Sequence, residues 1–299
     1  MTKPRRHEGA EGPYRLGLLG HPLGHSLSPV IHGAALEALG VDGAYALHDV
    51  EEAALAGFVA RVRAGELDGI NVTIPYKLAV AGLCDRLEGA GAALGAVNTL
   101  ARAADGAVVG HNTDVGGLAR AVREALGDVA RGGVVAVVGA GGAGYATVLA
   151  ASSLGARRVR VWNRTRERAE ALVARLGAVV STPLEVADNA ARAADAATLL
   201  LQATSVGLSV APSDAAWPGE VAAAAEVVAA MAADGAVYDL VYRPARTVWC
   251  AAAEASGRRA VSGLGMLVHQ AADAFALWTG HEPPRDVMRA AAEAALGAR

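Results

Sequence analysis

Five apolar residues, Val134–Val138, run directly into Gly139-Ala140-Gly141-Gly142-Ala143-Gly144 and then into a helical pattern. An apolar run of that length reads as a strand buried on both faces. The glycines after it match G-x-G-x-x-G, the turn that brings a dinucleotide pyrophosphate onto a helix N-terminus. Gly139 permits the tight turn, Gly141 lets the backbone approach the phosphates, and Gly144 lets the helix lie close to the strand. The helix start adds free N–H groups and the positive end of its dipole. Among 36 glycines a bare match would mean little. Between an apolar strand and a helix it predicts a nucleotide site at Gly139, Gly141, Gly142, Ala143 and Gly144.

The next predicted strand, Arg158–Trp162, ends about 20 residues further on, where an NAD site carries Asp or Glu for the ribose hydroxyl. This chain has Asn163-Arg164-Thr165-Arg166-Glu167-Arg168 there. A carboxylate would repel a ribose 2′-phosphate, whereas guanidinium groups grip one. Arg164 and Arg168 lie one helical turn apart on the same side, and Asn163 and Thr165 can donate to ribose or phosphate. The expected cofactor is NADP.

Around this unit, short β-branched runs alternate with longer Ala/Leu-rich amphipathic stretches, the pattern of an α/β protein with parallel sheet. Strands are expected at Arg15–Gly20, Ala44–Val50, Gly69–Thr73 and Ala96–Leu100. A second series holds Val134–Val138, Arg158–Trp162, Leu199–Gln202 and Ala236–Asp239. Helices are expected near Ser28–Leu39, Glu51–Arg63 and Thr113–Leu126. From about Leu264 the periodicity is only helical, so these closing helices must pack on a sheet already built. The expected organisation is an N-terminal α/β substrate-binding domain (1–113 and 264–299) completed by the C-terminal helices, plus a Rossmann-type domain (114–263).

Composition excludes several classes. No stretch of about 18 apolar residues occurs, and residues 1–13 lack the apolar centre of a signal peptide, so a cytoplasmic protein is expected. A net charge of −3 without a basic block argues against nucleic acid. Cys84 and Cys250 provide neither a disulfide framework nor metal-ligand spacing, and no metal is expected. Of the 27 basic residues only Lys3 and Lys77 are lysines. Where arginine serves every ordinary positive charge, an internal lysine suggests a task arginine cannot perform, namely exchanging a proton.

Lys77 sits in one of several polar strings: GHSLSP (24–29), NVTIPYK (71–77), AVNT (96–99) and GHNTD (110–114). In the first, Ser28 occupies a natural N-cap position. With GAGGAG (139–144), NRTRER (163–168), ATSVG (203–207), YDLVYRP (238–244) and GLGMLVHQ (263–270), they make nine motifs in order. From about Arg15 to Gly280 the chain resembles the shikimate dehydrogenases. The resemblance implies that Ser26, Ser28, Thr73, Asn98, Tyr242 and Gln270 line a shikimate pocket and that Lys77 is catalytic beside Asp114. It also implies that Asn163, Arg164, Thr165 and Arg168 hold the adenosine phosphate, while Thr204, Ser205, Leu240 and Gly263 lie on the nicotinamide side. Gln202 and Gly33 stand where the family more usually has Asn.

The implied reaction is NADPH-dependent reduction of 3-dehydroshikimate, with Lys77 stabilising and protonating the developing alkoxide. Quinate or an aminated analogue is the alternative substrate; quinate-preferring relatives often carry an acidic residue after the second nucleotide-domain strand and Thr at the position of Ser28. A non-catalytic NADP-binding regulator would have no need of Lys77, Asp114 and Gln270. A pterin-using dehydrogenase would want aromatic stacking, and only 4% of the chain is aromatic. His21, His25 and His32 show no dyad spacing with a carboxylate and are expected to be polar loop or helix-start residues. The partner is a small molecule, with no nucleic acid and no membrane, and the state is monomer or homodimer.

Overall fold

The structure is a computed structural model that describes residues 12–24, 26–207 and 218–297. It separates into two compact units, residues 1–117 with 268–299, and residues 118–267. The divisions fall inside the helices Asp114–Leu126 and Leu264–Thr279.

In the first unit, β1 (Tyr14–Gly20), β2 (Gly43–Asp49), β3 (Gly69–Val72), β4 (Arg86–Leu87), β5 (Thr99–Arg102) and β6 (Val108–His111) form a sheet ordered β2-β1-β3-β5-β6-β4. The sheet is mixed, which corrects the expectation of parallel strands: β5 runs antiparallel to both β3 and β6. Its physical cause is the short turn after Arg102, where Asp105 Oδ1 accepts the Ala107 N–H and Gly106 has φ +86°. A reversal that tight joins only antiparallel neighbours. Residues 96–98, expected as strand, lie outside β5. The Val97 amide donates to the Lys77 carbonyl and the Asn98 amide to His111, so this stretch turns to serve the site.

The C-terminal helix Leu264–Thr279 completes this unit. Ala274 and Trp278 pack with Leu16 and Ala101, and Trp278 Nε1 donates to the Leu100 carbonyl at 2.8 Å. The indole lies so close to β3 that a Cβ on Gly69 would fall 2.1 Å from it. Helix Arg285–Gly297 packs against helix Ser28–Ala38.

The second unit holds β7 (Val134–Val138), β8 (Arg158–Trp162), β9 (Leu184–Val186), β10 (Leu199–Gln202), β11 (Ala236–Asp239) and β12 (Arg259–Ser262). All pair in parallel, in the order β12-β11-β10-β7-β8-β9. Counted along the unit's own chain this is 6-5-4-1-2-3, the Rossmann order, whose strand direction of travel reverses between β7 and β10. Ligands of such sheets bind beyond the carboxyl ends of the strands at that reversal.

Candidate active site

Lys77 begins helix Lys77–Ala81 and Asp114 begins helix Asp114–Leu126. Lys77 Nζ donates to Asp114 Oδ2 at 2.6 Å, the side chains being 17% and 10% exposed. The helix dipole favours a carboxylate where Asp114 stands. The Asp114 amide donates to Asn112 Oδ1, which fixes the turn into the helix. A short charge-assisted contact out of most of the solvent is a strong one.

Asn98 touches the same carboxylate. Its Nδ2 donates to Asp114 Oδ1 and to Thr113 Oγ1, both at 2.9 Å. Its Oδ1 accepts the Thr113 backbone N–H at 2.8 Å and the Thr99 hydroxyl at 3.0 Å. Asn71 continues the network, with Nδ2 donating to the Asn98 carbonyl at 3.1 Å and to Thr99 Oγ1 at 3.0 Å. Asn71 Oδ1 accepts the Tyr45 phenol at 2.8 Å. Burial pushes the Tyr45 phenol above its ordinary range, and the Ser28 hydroxyl, close enough to hydrogen-bond it, offsets part of that. Asn98 is thereby joined with Lys77 and Asp114 in one polar system, and Ser28 lies near its Tyr45 end. Tyr45, Asn71, Thr99 and Thr113 are not among the site residues expected from the sequence.

The other expected substrate-side residues of this unit stand as follows. Ser28 is the first residue of its helix, with Leu27 as N-cap and no side-chain cap, which corrects the capping expectation. The Ser28 amide instead donates to Ser26 Oγ at 3.2 Å, so the loop is folded on itself. Thr73 is fixed by its amide to Leu19 and accepts from the Tyr76 amide. Gln270 packs on the first turn after Asp114, where a Cβ on Gly117 would lie 2.9 Å from Gln270 Cβ. Tyr242 belongs to the other unit, and burial raises its phenol.

The histidines depart from the expectation. His21 Nδ1 meets Asp49 Oδ1 at 2.5 Å, a His–carboxylate pair that sequence spacing did not reveal. Asp49 Oδ2 accepts the Leu23 amide, so this exposed pair anchors the loop that carries Ser26 and Ser28. His32 is fully buried, stacked on Tyr45 at 4.4 Å and packed beside Phe275 and Trp278. His25 lies outside the described residues.

In the second unit the glycine loop leaves β7. Gly139 has φ +116°, a conformation that L side chains rarely adopt. A Cβ on Gly144 would lie 2.5 Å from the Gly139 carbonyl, whereas Cβ atoms on Gly141 and Gly142 would project into open space. Room over Gly141 and Gly142, at the first turn of helix Gly142–Ser153, suits a pyrophosphate. Asn163 Oδ1 accepts the Ala140 amide, and Asn163 Nδ2 donates to the Thr165 carbonyl, so Asn163 braces this loop. Arg166 is bound to Glu170 and Asp188. Arg164 and Arg168 are exposed and form no ion pair among the described residues, which leaves both free for a phosphate. Thr204 packs beside Gly139 across the strand reversal, and its hydroxyl accepts the Val206 amide. Gln202 is fully buried; its Oε1 accepts the Thr204 amide and its Nε2 donates to the Val206 carbonyl, closing the turn that holds Ser205. The Gly263 amide donates to the Val241 carbonyl next to Leu240. These residues fit a dinucleotide with a phosphorylated ribose.

Three family models match in order: the shikimate dehydrogenase substrate binding domain over residues 18–100, shikimate / quinate 5-dehydrogenase over 121–213, and the shikimate 5'-dehydrogenase C-terminal domain over 263–293. The shikimate dehydrogenase (NADP(+)) of Symbiobacterium thermophilum is 41% identical over 303 residues, covering 99% of each chain. The chain belongs to the shikimate dehydrogenase family.

Solved structures of the family agree. A Thermus thermophilus shikimate 5-dehydrogenase in complex with NADP(H) and shikimate has a TM-score of 0.81 and 39% identity, covering 95% of this chain and 100% of its own. A Corynebacterium glutamicum quinate dehydrogenase in complex with NAD has a TM-score of 0.82 at 33% identity, covering 94% and 99%. Gly33 stands where nothing crowds it, since a Cβ there would meet nothing within 4 Å. Among the described residues no cluster of three His, Cys, Asp or Glu could hold a metal ion, and no helix is long and apolar enough to cross a membrane.

Proposed function

We propose that this chain catalyses the reversible NADPH-dependent reduction of 3-dehydroshikimate to shikimate, in the cytoplasm, as a step towards chorismate and the aromatic amino acids. The observation that carries the reading is the Lys77–Asp114 pair, 2.6 Å apart, in a chain of this family. Residues 1–113 and 264–299 bind substrate and residues 114–263 bind NADP. NADP, when bound, supplies the hydride donor or acceptor.

This chain's residues supply the rest. As an ammonium, Lys77 Nζ stabilises the oxygen on which negative charge develops and passes it a proton; in the oxidation direction its neutral form takes the hydroxyl proton. Asp114 holds Nζ in place, and with Asn98 it addresses the ring hydroxyls. Ser26, Ser28, Thr73, Tyr242 and Gln270 complete the substrate contacts, the serine hydroxyls meeting the carboxylate. Arg164 and Arg168 hold the 2′-phosphate, while Thr204, Ser205, Leu240 and Gly263 face the nicotinamide side. The absence of an acidic residue at Asn163-Arg164 and the presence of Ser28 favour shikimate with NADP over quinate with NAD.

Purified protein should reduce NADP when given shikimate, followed by NADPH absorbance. Activity with quinate and NAD in its place would overturn the assignment. Lys77→Ala should abolish turnover while leaving NADP affinity nearly intact; substantial residual turnover would refute the proton-transfer role.

A further inference from the structure

Asp114 takes a hydrogen bond on each carboxylate oxygen. Lys77 provides one, and the Asn98 amide provides the other. Which atom of that amide is oxygen and which is nitrogen follows from groups whose roles are unambiguous. The Thr113 backbone N–H can only donate, so the atom it meets is Asn98 Oδ1 and Nδ2 must face Asp114. The Asn98 backbone carbonyl can only accept, so the atom of Asn71 that meets it is Nδ2.

The remaining hydrogens follow. The second N–H of Asn71 points at Thr99 Oγ1, and the single Thr99 hydroxyl hydrogen turns towards Asn98 Oδ1 at 3.0 Å, the nearer of its two partners, Thr113 Oγ1 lying at 3.5 Å. Asn71 Oδ1 is left to accept the Tyr45 phenol hydrogen. Tyr45 is held by its stack on His32, the two rings lying within 3° of parallel. Donation therefore runs one way, from Tyr45 through Asn71, Thr99 and Asn98 to Asp114. Asn71, Thr99, Asn98 and Asp114 are all buried, where a broken link is not repaired by solvent.

We propose that Tyr45, Asn71 and Thr99 are positioning residues forming a one-way hydrogen-bond relay that orients the Asn98 amide and, through it, the Asp114 carboxylate for Lys77. Asn71 sets the direction. The proposal rests on the Lys77–Asp114 pair being the proton-transfer pair, as argued above. Asn71→Asp keeps the shape but replaces both N–H donors with acceptors. The Thr99 hydroxyl would then turn its hydrogen back towards residue 71, and Asn98 Oδ1 would lose that donor. Thr99→Val removes the hydroxyl at nearly constant volume, and Thr99→Ser restores it.

Steady-state kinetics with shikimate and NADP, with thermal unfolding of each variant, test the relay. Thr99→Val should lower kcat roughly fivefold to tenfold, the equivalent of one net hydrogen bond, with KM for NADP unchanged. Thr99→Ser should return kcat to within about twofold of the parent, since the same bond is remade. Asn71→Asp should cost more than Thr99→Val. Should Asn71→Asp not fold, the Thr99 pair decides. Equal kcat in Thr99→Val and the parent, or equal losses in Thr99→Val and Thr99→Ser, would overturn the relay. So would a fall in melting temperature with kcat unmoved. If the parent itself fails to oxidise shikimate, the functional reading fails separately. NMR of the Asn98 side-chain amide then tests the relay without turnover: slow hydrogen exchange in the parent and faster exchange in Thr99→Val support it, and equal exchange refutes it.

Discussion

Acid should act on this fold in part through His32, and His32→Phe should remove that part. Burial lowers the His32 imidazole from its ordinary 6.5 to about 3, with nearby Asn71 offsetting only a part. Neither ring nitrogen reaches a hydrogen-bond partner, so burial governs. An unfolded chain takes up the proton near 6.5, whereas the folded chain resists it until about 3. Stability is therefore complete above the upper value and is lost as the pH falls towards the lower one. At about pH 5 the loss is on the order of 2 kcal/mol, from about 1.36 kcal/mol per pH unit.

A second buried group works against this in the parent protein. Burial raises the Asp239 carboxyl from 3.8 to about 7, with Thr247 and the Val241 amide offsetting part. Its contribution is complete below 3.8 and is lost as the pH rises through about 7, so acidification from pH 7 to pH 5 restores about 2 kcal/mol. The parent alone does not isolate His32 over that interval, since burial also lowers the His48 and His111 imidazoles. The informative quantity is the difference between His32→Phe and the parent, taken at both pH values by urea unfolding. Any overpacking cost of the larger ring, about 1–3 kcal/mol, is common to both and cancels. The variant should gain about 2 kcal/mol on the parent between pH 7 and pH 5. A double difference below about 1 kcal/mol, or one of opposite sign, would show that His32 is not kept neutral by burial.

Asp239→Asn should remove the opposite slope. Relative to the parent it should gain a few kcal/mol between about pH 4 and pH 8, and parallel urea-unfolding profiles for the two proteins would refute this. Gly69→Ala should destabilise by roughly 3 kcal/mol, because its Cβ would displace the Trp278 indole and its hydrogen bond to Leu100; an unchanged melting temperature would exclude that packing. Arg164→Ala should weaken NADP about tenfold or more while leaving NAD binding little affected, through loss of a charge-assisted contact. Arg166→Ala should change neither, being tied to Glu170 and Asp188. Calorimetric titration with both cofactors checks the pair, and equal losses of NADP affinity would remove the distinction among the arginines.

What the sequence made legible was whatever repeats locally. The strands at Val134–Val138, Leu199–Gln202 and Ala236–Asp239 stand where their apolar runs put them, because a strand covered on both faces needs a largely apolar segment, and Arg158–Trp162 stands where its alternation of polar and apolar residues put it. Edge strands carry no such signal. β12, Arg-Ala-Val-Ser, pairs on one side only and has no fully buried residue, and β9, Leu-Glu-Val, is likewise half-buried throughout. The β5–β6 hairpin did leave a mark, Asp105-Gly106 between the short segments Thr99–Arg102 and Val108–His111. That local turn outweighs the parallel pattern of the rest of the unit.

Within the site, the residues legible in advance were those whose chemistry is scarce, such as an internal lysine in a chain that otherwise uses arginine. His32 was misread although a signal existed. Ser28, Ile31, His32, Ala35 and Leu36 form one face of their helix, and all are buried, so its periodicity placed His32 among core positions. No such pattern points to Tyr45. It acts on Asn71, 26 residues away, only because β2 and β3 both pair with β1: Tyr45 stands opposite Leu16, and Leu16 opposite Gly69. Asn71 lies two residues beyond Gly69, on the same face of its strand. Sheet register, which no local motif encodes, thus carries the hydrogen-bond sequence that ends on Asp114. A one-residue slip of β2 would turn Tyr45 to the other face and disconnect it.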